Sequence, residues 1–127
     1  MKVTELAILD WVLINNTPHK IQAIDSIDAE IQADGELYYV GEDRYHTADK
    51  IEGIPITYEI LEKNGWKRNK IFMDVKAADC INFSWTDKYG ESLFQNGYYM
   101  CDCEYAHTLQ HALRLCGLNE LADDFKI

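Results

Sequence analysis

The chain has 127 residues, 47% of them hydrophobic and 27% charged, which are values of a globular domain and not of a disordered chain. Its formal net charge is −10, so general binding to nucleic acid or anionic lipid is disfavoured, because an acidic surface repels phosphate. Glu5 and Asp10 interrupt the first apolar residues, and no stretch approaches the ~18 uninterrupted apolar residues of a membrane span. Four cysteines without a secretory signal predict reduced thiols in the cytoplasm.

The first part of the chain reads as β-rich. Trp11–Ile14 predicts a strand, Asn15-Asn16-Thr17-Pro18 a turn, and Lys20–Ile24 a second strand. Ile27, Ala29 and Ile31 alternate with Asp28, Glu30 and Gln32, the pattern of a half-buried strand. Asp34-Gly35 supplies a tight turn into Glu36–Val40, and Arg44–Thr47 follows the turn Gly41-Glu42-Asp43. Strands this short and this close together predict a small bent sheet or SH3-like barrel, which has to curl to cover its own inner face.

Gly53-Ile54-Pro55 is the predicted joint between a β-rich lobe, 1–54, and an α+β lobe, 55–127. Thr57 is placed to N-cap a short helix running to Asn64, with Gly65 ending it and Ile56 and Leu61 at the two positions of a hydrophobic staple. A helix of two turns does not persist alone, so Ile60, Leu61 and Trp66 must dock on a neighbour. Lys63, Lys67, Arg68 and Lys70 form a local basic run, read as a solvated turn. Ile71–Val75, Ile81–Trp85, Glu91–Gln95 and Tyr98–Cys103 predict an antiparallel meander, with Asn96-Gly97 as a type I′ turn.

The stretch from Tyr98 to Leu118 runs from the last strand into the main helix. Over 105–116, Leu109, Ala112, Leu113 and Cys116 share the face of a core stripe, and His107, His111 and Arg114 fall on the opposite side. Gly117 and Leu118 predict a Schellman closure. Leu118, Leu121, Ala122 and Phe125 then repeat at helical spacing, so the predicted fold class is α+β.

Cys101-x-Cys103-x3-His107-x3-His111 offers two thiols and two imidazoles, the ligand types of tetrahedral zinc. The spacing departs from the usual C-x2-4-C pair, and the predicted faces point the cysteines inward and the histidines outward. Buried thiols beside a solvated helix face is the favoured reading, and a zinc site the alternative. The same division of faces argues against a Cys103–His107 thiol enzyme. Ser26, Ser84 and Ser92 lack a G-x-S-x-G context, no phosphate-binding glycine loop is present, and no catalytic residue is assigned.

Several segments resemble a group of small proteins of gut Bacteroidetes genomes and their prophage-like or mobile elements. Leu6, Ile8, Trp11 and Val12 fit its motif L-x-I-G-N-[WY]-V, with Leu9-Asp10 in place of Gly-Asn. Ile51, Ile54, Pro55, Ile56, Thr57, Glu59, Leu61, Lys63, Gly65 and Trp66 fit I-x-x-I-P-[LI]-T-x-E-x-L-x-K-x-G-[FW]. Tyr105, His107, Leu109 and Gln110 fit Y-V-H-x-L-Q-N, from which Ala106 and His111 depart. The group has no established activity, so the resemblance implies an architecture and a genomic setting and carries over no catalytic residue. His111 stands at a position where the group has Asn, which would make a zinc site peculiar to this chain.

Eight tyrosines and three tryptophans exceed what one core of this size needs. Tyr38 and Tyr39, like Tyr98 and Tyr99, are neighbours on predicted strands, so one of each pair faces away from its core. Such tyrosines suit packing between lobes first and an external protein second. The resulting expectation is a non-catalytic interaction or adaptor module that binds a protein partner or its own copy. Beside it stand a metal- or thiol-dependent protein centred on Cys101, Cys103, His107 and His111, and an acidic mimic of nucleic acid.

Overall fold

A computed structural model of the chain describes residues 5–25, 30–33, 45–47, 50–69, 72–75, 78–86 and 90–127. Of residues 25, 30, 32–33, 45–47, 69, 72–75, 78–80 and 86 only the backbone is described. Ile27, Ala29, the predicted elements between Asp34 and Asp43, the pair Tyr38 and Tyr39, Lys70 and Ile71 lie outside the described residues. The chain divides into two compact units, Met1–Ile54 and Pro55–Ile127. Among the described residues each carries an antiparallel five-stranded sheet and the second adds three helices, so the class is α+β.

The first unit comprises β1 (Trp11–Ile14), β2 (Thr17–Asp25), β3 (Glu30–Ala33), β4 (Tyr45–Thr47) and β5 (Ile51–Gly53), in the order β4-β3-β2-β1-β5. Asn15 and Asn16, at φ 52 and 63, make a two-residue turn, the left-handed pair that a type I′ hairpin demands. The turn is therefore shorter than Asn15-Asn16-Thr17-Pro18, and Pro18 stands within β2 opposite Leu13. Its missing N–H costs nothing there. One step from the hairpin's closing pair the donors point outward, and β3 pairs with β2 only from Ile21 onward. β5, a strand that the sequence pattern does not predict and that takes in Gly53 of the predicted joint, pairs with β1 through Ile51 and Ile14.

Val12, Ile14, Ile21, Ile31 and Ile51 are buried together with Leu6, the period-2 face expected of a sheet with one side in a core. On the other face, Lys20 places its Nζ 5.7 Å from the centre of the Trp11 ring directly opposite it. The approach to β1 is tightly bound: Asp10 is buried, its Oδ2 accepts the Ala7 N–H at 2.7 Å, and its carbonyl accepts the Ile21 N–H at 2.9 Å. Leu9, between them, has φ 74, in the left-handed region that a side chain normally avoids.

The second unit runs α1 (Tyr58–Lys63), β6 (Trp66–Asn69), β7 (Phe72–Val75), β8 (Ala78–Thr86), β9 (Gly90–Gln95), β10 (Tyr98–Asp102), α2 (Ala106–Leu115) and α3 (Asn119–Asp123). Its sheet is a meander in the order β10-β9-β8-β7-β6. Thr57 caps α1 by accepting the Ile60 N–H at 3.2 Å, and Gly65 ends it at φ 84. Asn96 and Gly97, at φ 53 and 82, turn β9 into β10 as the sequence predicts.

The basic run is solvated at Lys63, Lys67 and Arg68, as predicted, but it is not a turn. Lys67 and Arg68 belong to edge strand β6, because Trp66 is drawn into the core and carries the following residues into register with β7. Arg68 lays its guanidinium 3.8 Å from the centre of the Tyr58 ring, which lies 4.3 Å from Trp85. Trp85 contacts Phe83 at 4.6 Å, and Phe83 meets Trp66 edge-on at 6.3 Å. This aromatic row is the surface on which α1 and Trp66 dock.

Candidate functional site

β10 forms one end of its sheet and leads directly into α2, so the strand and helix carrying the candidate residues share one corner of the second unit. A bulge interrupts the pairing with β9: Tyr99 stands opposite Phe94, yet Cys101 stands opposite Leu93, leaving Met100 as the extra residue. Strict alternation fails there. Tyr99 and Asp102 come to one face, where the tyrosine hydroxyl donates to Asp102 Oδ1 at 2.8 Å and the ring meets Phe94 edge-on. That hydrogen bond, then burial and the charge of Asp102, hold the Tyr99 phenol above its ordinary pKa.

The two cysteines keep a common face. Cys101 is half-buried and Cys103 fully buried, with their sulfurs 3.7 Å apart. The Cys103 N–H donates to the Glu91 carbonyl at 2.8 Å, extending the strand's hold on that residue beyond β10 itself. The hydrogen bond with Cys103 lowers the Cys101 pKa to about 7, against opposing contributions from burial and Asp102. Cys103 is pushed strongly upward by its hydrogen bond to Cys101, by burial and by the surrounding negative charges. The pair thus contains one accessible sulfur that ionises readily and one hidden sulfur that keeps its proton.

Two further sulfurs stand nearby, which the sequence reading did not gather. Cys116, half-buried at the end of α2, approaches the Met100 thioether at 4.0 Å. None of Cys101, Cys103 and Cys116 is in a disulfide. The bulge that turns Met100 inward leaves no mark on the residue pattern, so its sulfur could not be placed from sequence.

α2 is held at both ends by its own chain. Thr108 Oγ1 accepts the Tyr105 N–H at 3.2 Å and donates to its carbonyl at 2.8 Å, closing the first turn. At the other end the Leu118 N–H donates to the Leu113 carbonyl and the Gly117 N–H to that of Arg114, with Gly117 at φ 78, the predicted Schellman closure.

The predicted outward orientation of His107 is overturned: it is buried at 4% exposure, stacked parallel to Tyr105 at 5.8 Å and edge-on to His111 at 6.0 Å. Ala106, His107, Leu109, Gln110, Ala112 and Leu113 are all buried. At about 100° per residue these six cover an arc of about 220°, twice the one-sided stripe that the sequence reading assumed. Gln110 belongs to that arc, fully buried, with its Nε2 donating to the Ala122 carbonyl at 2.9 Å. Its position four residues after Ala106 and three before Leu113 is the signal that could have found it. His111 is half-buried.

Burial of His107 does not assemble a zinc site. Among the described residues no three side chains of His, Cys, Asp or Glu converge to hold a metal ion. Tyr98 is 79% exposed and Tyr99 42%, so both members of this pair reach the surface. Leu115, at 87%, stands beside Cys116 on the end of α2 that approaches Met100. A concavity of about 600 Å3 at the α2–α3 turn is lined by Gly117, Leu118, Asn119, Glu120, Leu121 and Asp124, which include neither a nucleophile nor an imidazole. Among the described residues no helix is long and apolar enough to cross a membrane.

Comparison with known proteins adds no relative: no family model, no curated protein and no solved structure matches this chain.

Proposed function

We propose that the protein is a non-catalytic interaction module of the cytoplasm whose docking surface is the exposed corner formed by Tyr98, Tyr99 and Leu115. The observation that carries this reading is the exposure of Tyr98, 79%, and Tyr99, 42%, in succession on a strand that ends its sheet, with Leu115 of α2 exposed at 87%. Large apolar groups left open on one unit suit a partner better than they suit water.

Two features define that partner. The Met100 bulge and the exposed carboxylate of Asp102 blunt β10 against regular strand addition, so the partner is held by side-chain contact. A net charge of −10 and the nearby exposed Asp102 and Glu104 oppose a second copy of this chain and favour a basic protein segment. Such a segment sets cations over tyrosine faces and aliphatic groups against Leu115.

Synthetic peptides that alternate basic and aliphatic residues, arrayed at low and high salt, test the proposal. Retention weaker at high salt and reduced about tenfold or more by Tyr98→Ser is the expected result, since an aromatic anchor contributes about 1.4 kcal/mol or more. Binding indifferent to both Tyr98→Ser and Leu115→Ser overturns the site. A dimer in sedimentation that is disrupted by Tyr98→Ser overturns the choice of partner.

A further inference from the structure

We propose that Cys101 and Cys103 form a redox-active dithiol whose substrate is a disulfide, with Cys101 as the attacking sulfur and Cys103 as the resolving one. This site is separate from the tyrosine corner in its chemistry, and its test reads sulfur oxidation and not protein binding, so either proposal can fail alone.

The division of labour follows from access. Cys101 is half-buried and open to a small disulfide, whereas Cys103 has no exposed surface and lies within reach of the Cys101 sulfur. Their sulfurs lie 3.7 Å apart, and closing to the ~2.05 Å of a disulfide asks for a movement of about 1.7 Å, within the reach of side-chain rotation. The depressed pKa of Cys101, about 7, keeps much of it as thiolate at neutral pH, near the optimum for an attacking thiol.

The backbone sets the character of the product. Two residues apart on an extended chain, the Cα atoms are about 6.6 Å apart, close to the upper limit of the ~4.4–6.8 Å that a disulfide spans. The link would lie near the edge of the ordinary span and be more readily reduced than a structural one, as suits a reversible dithiol and not a staple of the fold. Nor does the fold need a staple there, because Cys103 is already fixed by burial and by its bond to the Glu91 carbonyl.

In the first step the Cys101 thiolate attacks one sulfur of an external disulfide, R–S–S–R. That S–S bond breaks, one R–S⁻ leaves with the electron pair, and Cys101–S–S–R remains. Cys103, no longer facing a Cys101 thiolate, attacks the Cys101 sulfur as its proton passes to the departing sulfur, expelling the second R group as R–SH. Two electrons and two protons pass from the dithiol to the external disulfide, which ends as two thiols.

The test uses the full chain in chelator-treated buffer, equilibrated across ratios of glutathione disulfide to glutathione, alkylated and weighed intact. Wild-type protein is expected to lose two alkylatable thiols together, with the link mapping to the fragment holding Cys101 and Cys103. Cys116→Ser should behave identically. Cys103→Ala should instead accumulate one glutathione adduct on Cys101, and Cys101→Ser neither adduct nor link, each variant being checked for native circular dichroism. Wild-type protein that keeps all its alkylatable thiols in every buffer overturns the proposal whatever the variants do. So does a disulfide that maps to Cys80 or Cys116, or a folded Cys103→Ala protein that gains no adduct.

Discussion

The side-chain amide of Asn64 pairs with the backbone of Lys126 in both directions, its Nδ2 donating to the Lys126 carbonyl at 2.8 Å and its Oδ1 accepting the Lys126 N–H at 2.7 Å. The same Nδ2 also reaches the Ile60 carbonyl at 2.8 Å, so one residue closes α1 and fastens the end of the chain. Phe125, next to the clamp, is 1% exposed. Asn64→Ala removes both halves of the clamp and should cost about 1–3 kcal/mol, since each lost bond contributes about 0.5–1.5. Asn64→Asp keeps the acceptor but sets a carboxylate against two carbonyls, and should cost at least as much. Urea unfolding measures both, and a cost below about 0.5 kcal/mol for Asn64→Ala would show the clamp to be idle.

Leu9 occupies φ 74 and is 37% exposed, so it bears backbone strain with little burial to offset it. A non-glycine residue in that region costs of order 1–3 kcal/mol, and glycine removes the strain while adding about 0.5–1 of unfolded-state entropy. Leu9→Gly should therefore raise stability by about 1 kcal/mol, read as a higher urea midpoint with unchanged slope. No increase in the midpoint would mean that this leucine is unstrained.

Neighbouring Asp10 uses Oδ2 to hold the Ala7 N–H, and an asparagine offers a carbonyl oxygen at the same place. Asp10→Asn should be tolerated to within about 1 kcal/mol. Asp10→Ala leaves a partly buried N–H without this acceptor and should cost about 1–2 kcal/mol. Equal loss in the two variants would mean that the charge, and not the acceptor, is what this position supplies.

Local signals carried far in this chain, and long-range ones did not. The left-handed pair Asn96-Gly97, the cap at Thr57 and the closure at Gly117 each depend on chemistry within a few residues, and each was legible. β6 was not, because Lys67 and Arg68, exposed as the sequence predicts, read as a turn until Trp66 is known to be drawn into the core and to set the register with β7. β5 was hidden for the same reason, since Ile51 is fixed by a partner, Ile14, distant in sequence. An SH3-like lobe was expected in the first unit, of which the described residues establish the strand order β4-β3-β2-β1-β5. At the site, the pairing of Cys101 with Cys103 followed from the period of a strand. The burial of His107 did not, because one helix's pattern cannot reveal how many neighbours surround it.

Gln110 ties α2 to α3 from inside the core, through a bond to a carbonyl that terminates a five-residue helix. Arg114 and Asp123, bonded at 3.2 Å but half open to solvent, join the same two helices. Gln110→Leu removes the shorter of the bonds to the Ala122 carbonyl, leaving the Phe125 N–H at 3.3 Å, and should cost about 0.5–1.5 kcal/mol. Asp123→Ala should cost no more than about 1 kcal/mol, as exposed pairs do. A larger loss at Asp123 than at Gln110 would reverse this ranking of buried over exposed contacts.

The Cys101 thiolate should be visible both in reactivity and in the pH dependence of stability. Alkylation of Cys101 by iodoacetamide is expected to rise through a midpoint of about 7, and Cys103→Ala, which removes the hydrogen bond to its sulfur, should move that midpoint up toward the ordinary ~8.5. Because Cys101 is held below its unfolded value, the stability it contributes is present in full above the unfolded pKa. It drains away as pH falls from about 8.5 through about 7. Cys103 is displaced the other way, so its contribution is intact below its unfolded value and is lost only as the medium becomes more alkaline. Between about pH 7 and 8.5, roughly the interval separating the two values for Cys101, wild-type protein should gain stability with pH relative to Cys101→Ser. Parallel urea-stability profiles for the two proteins across that window, together with an alkylation midpoint near the ordinary thiol value, would leave Cys101 an unremarkable thiol and remove the chemical basis for its attack on a disulfide.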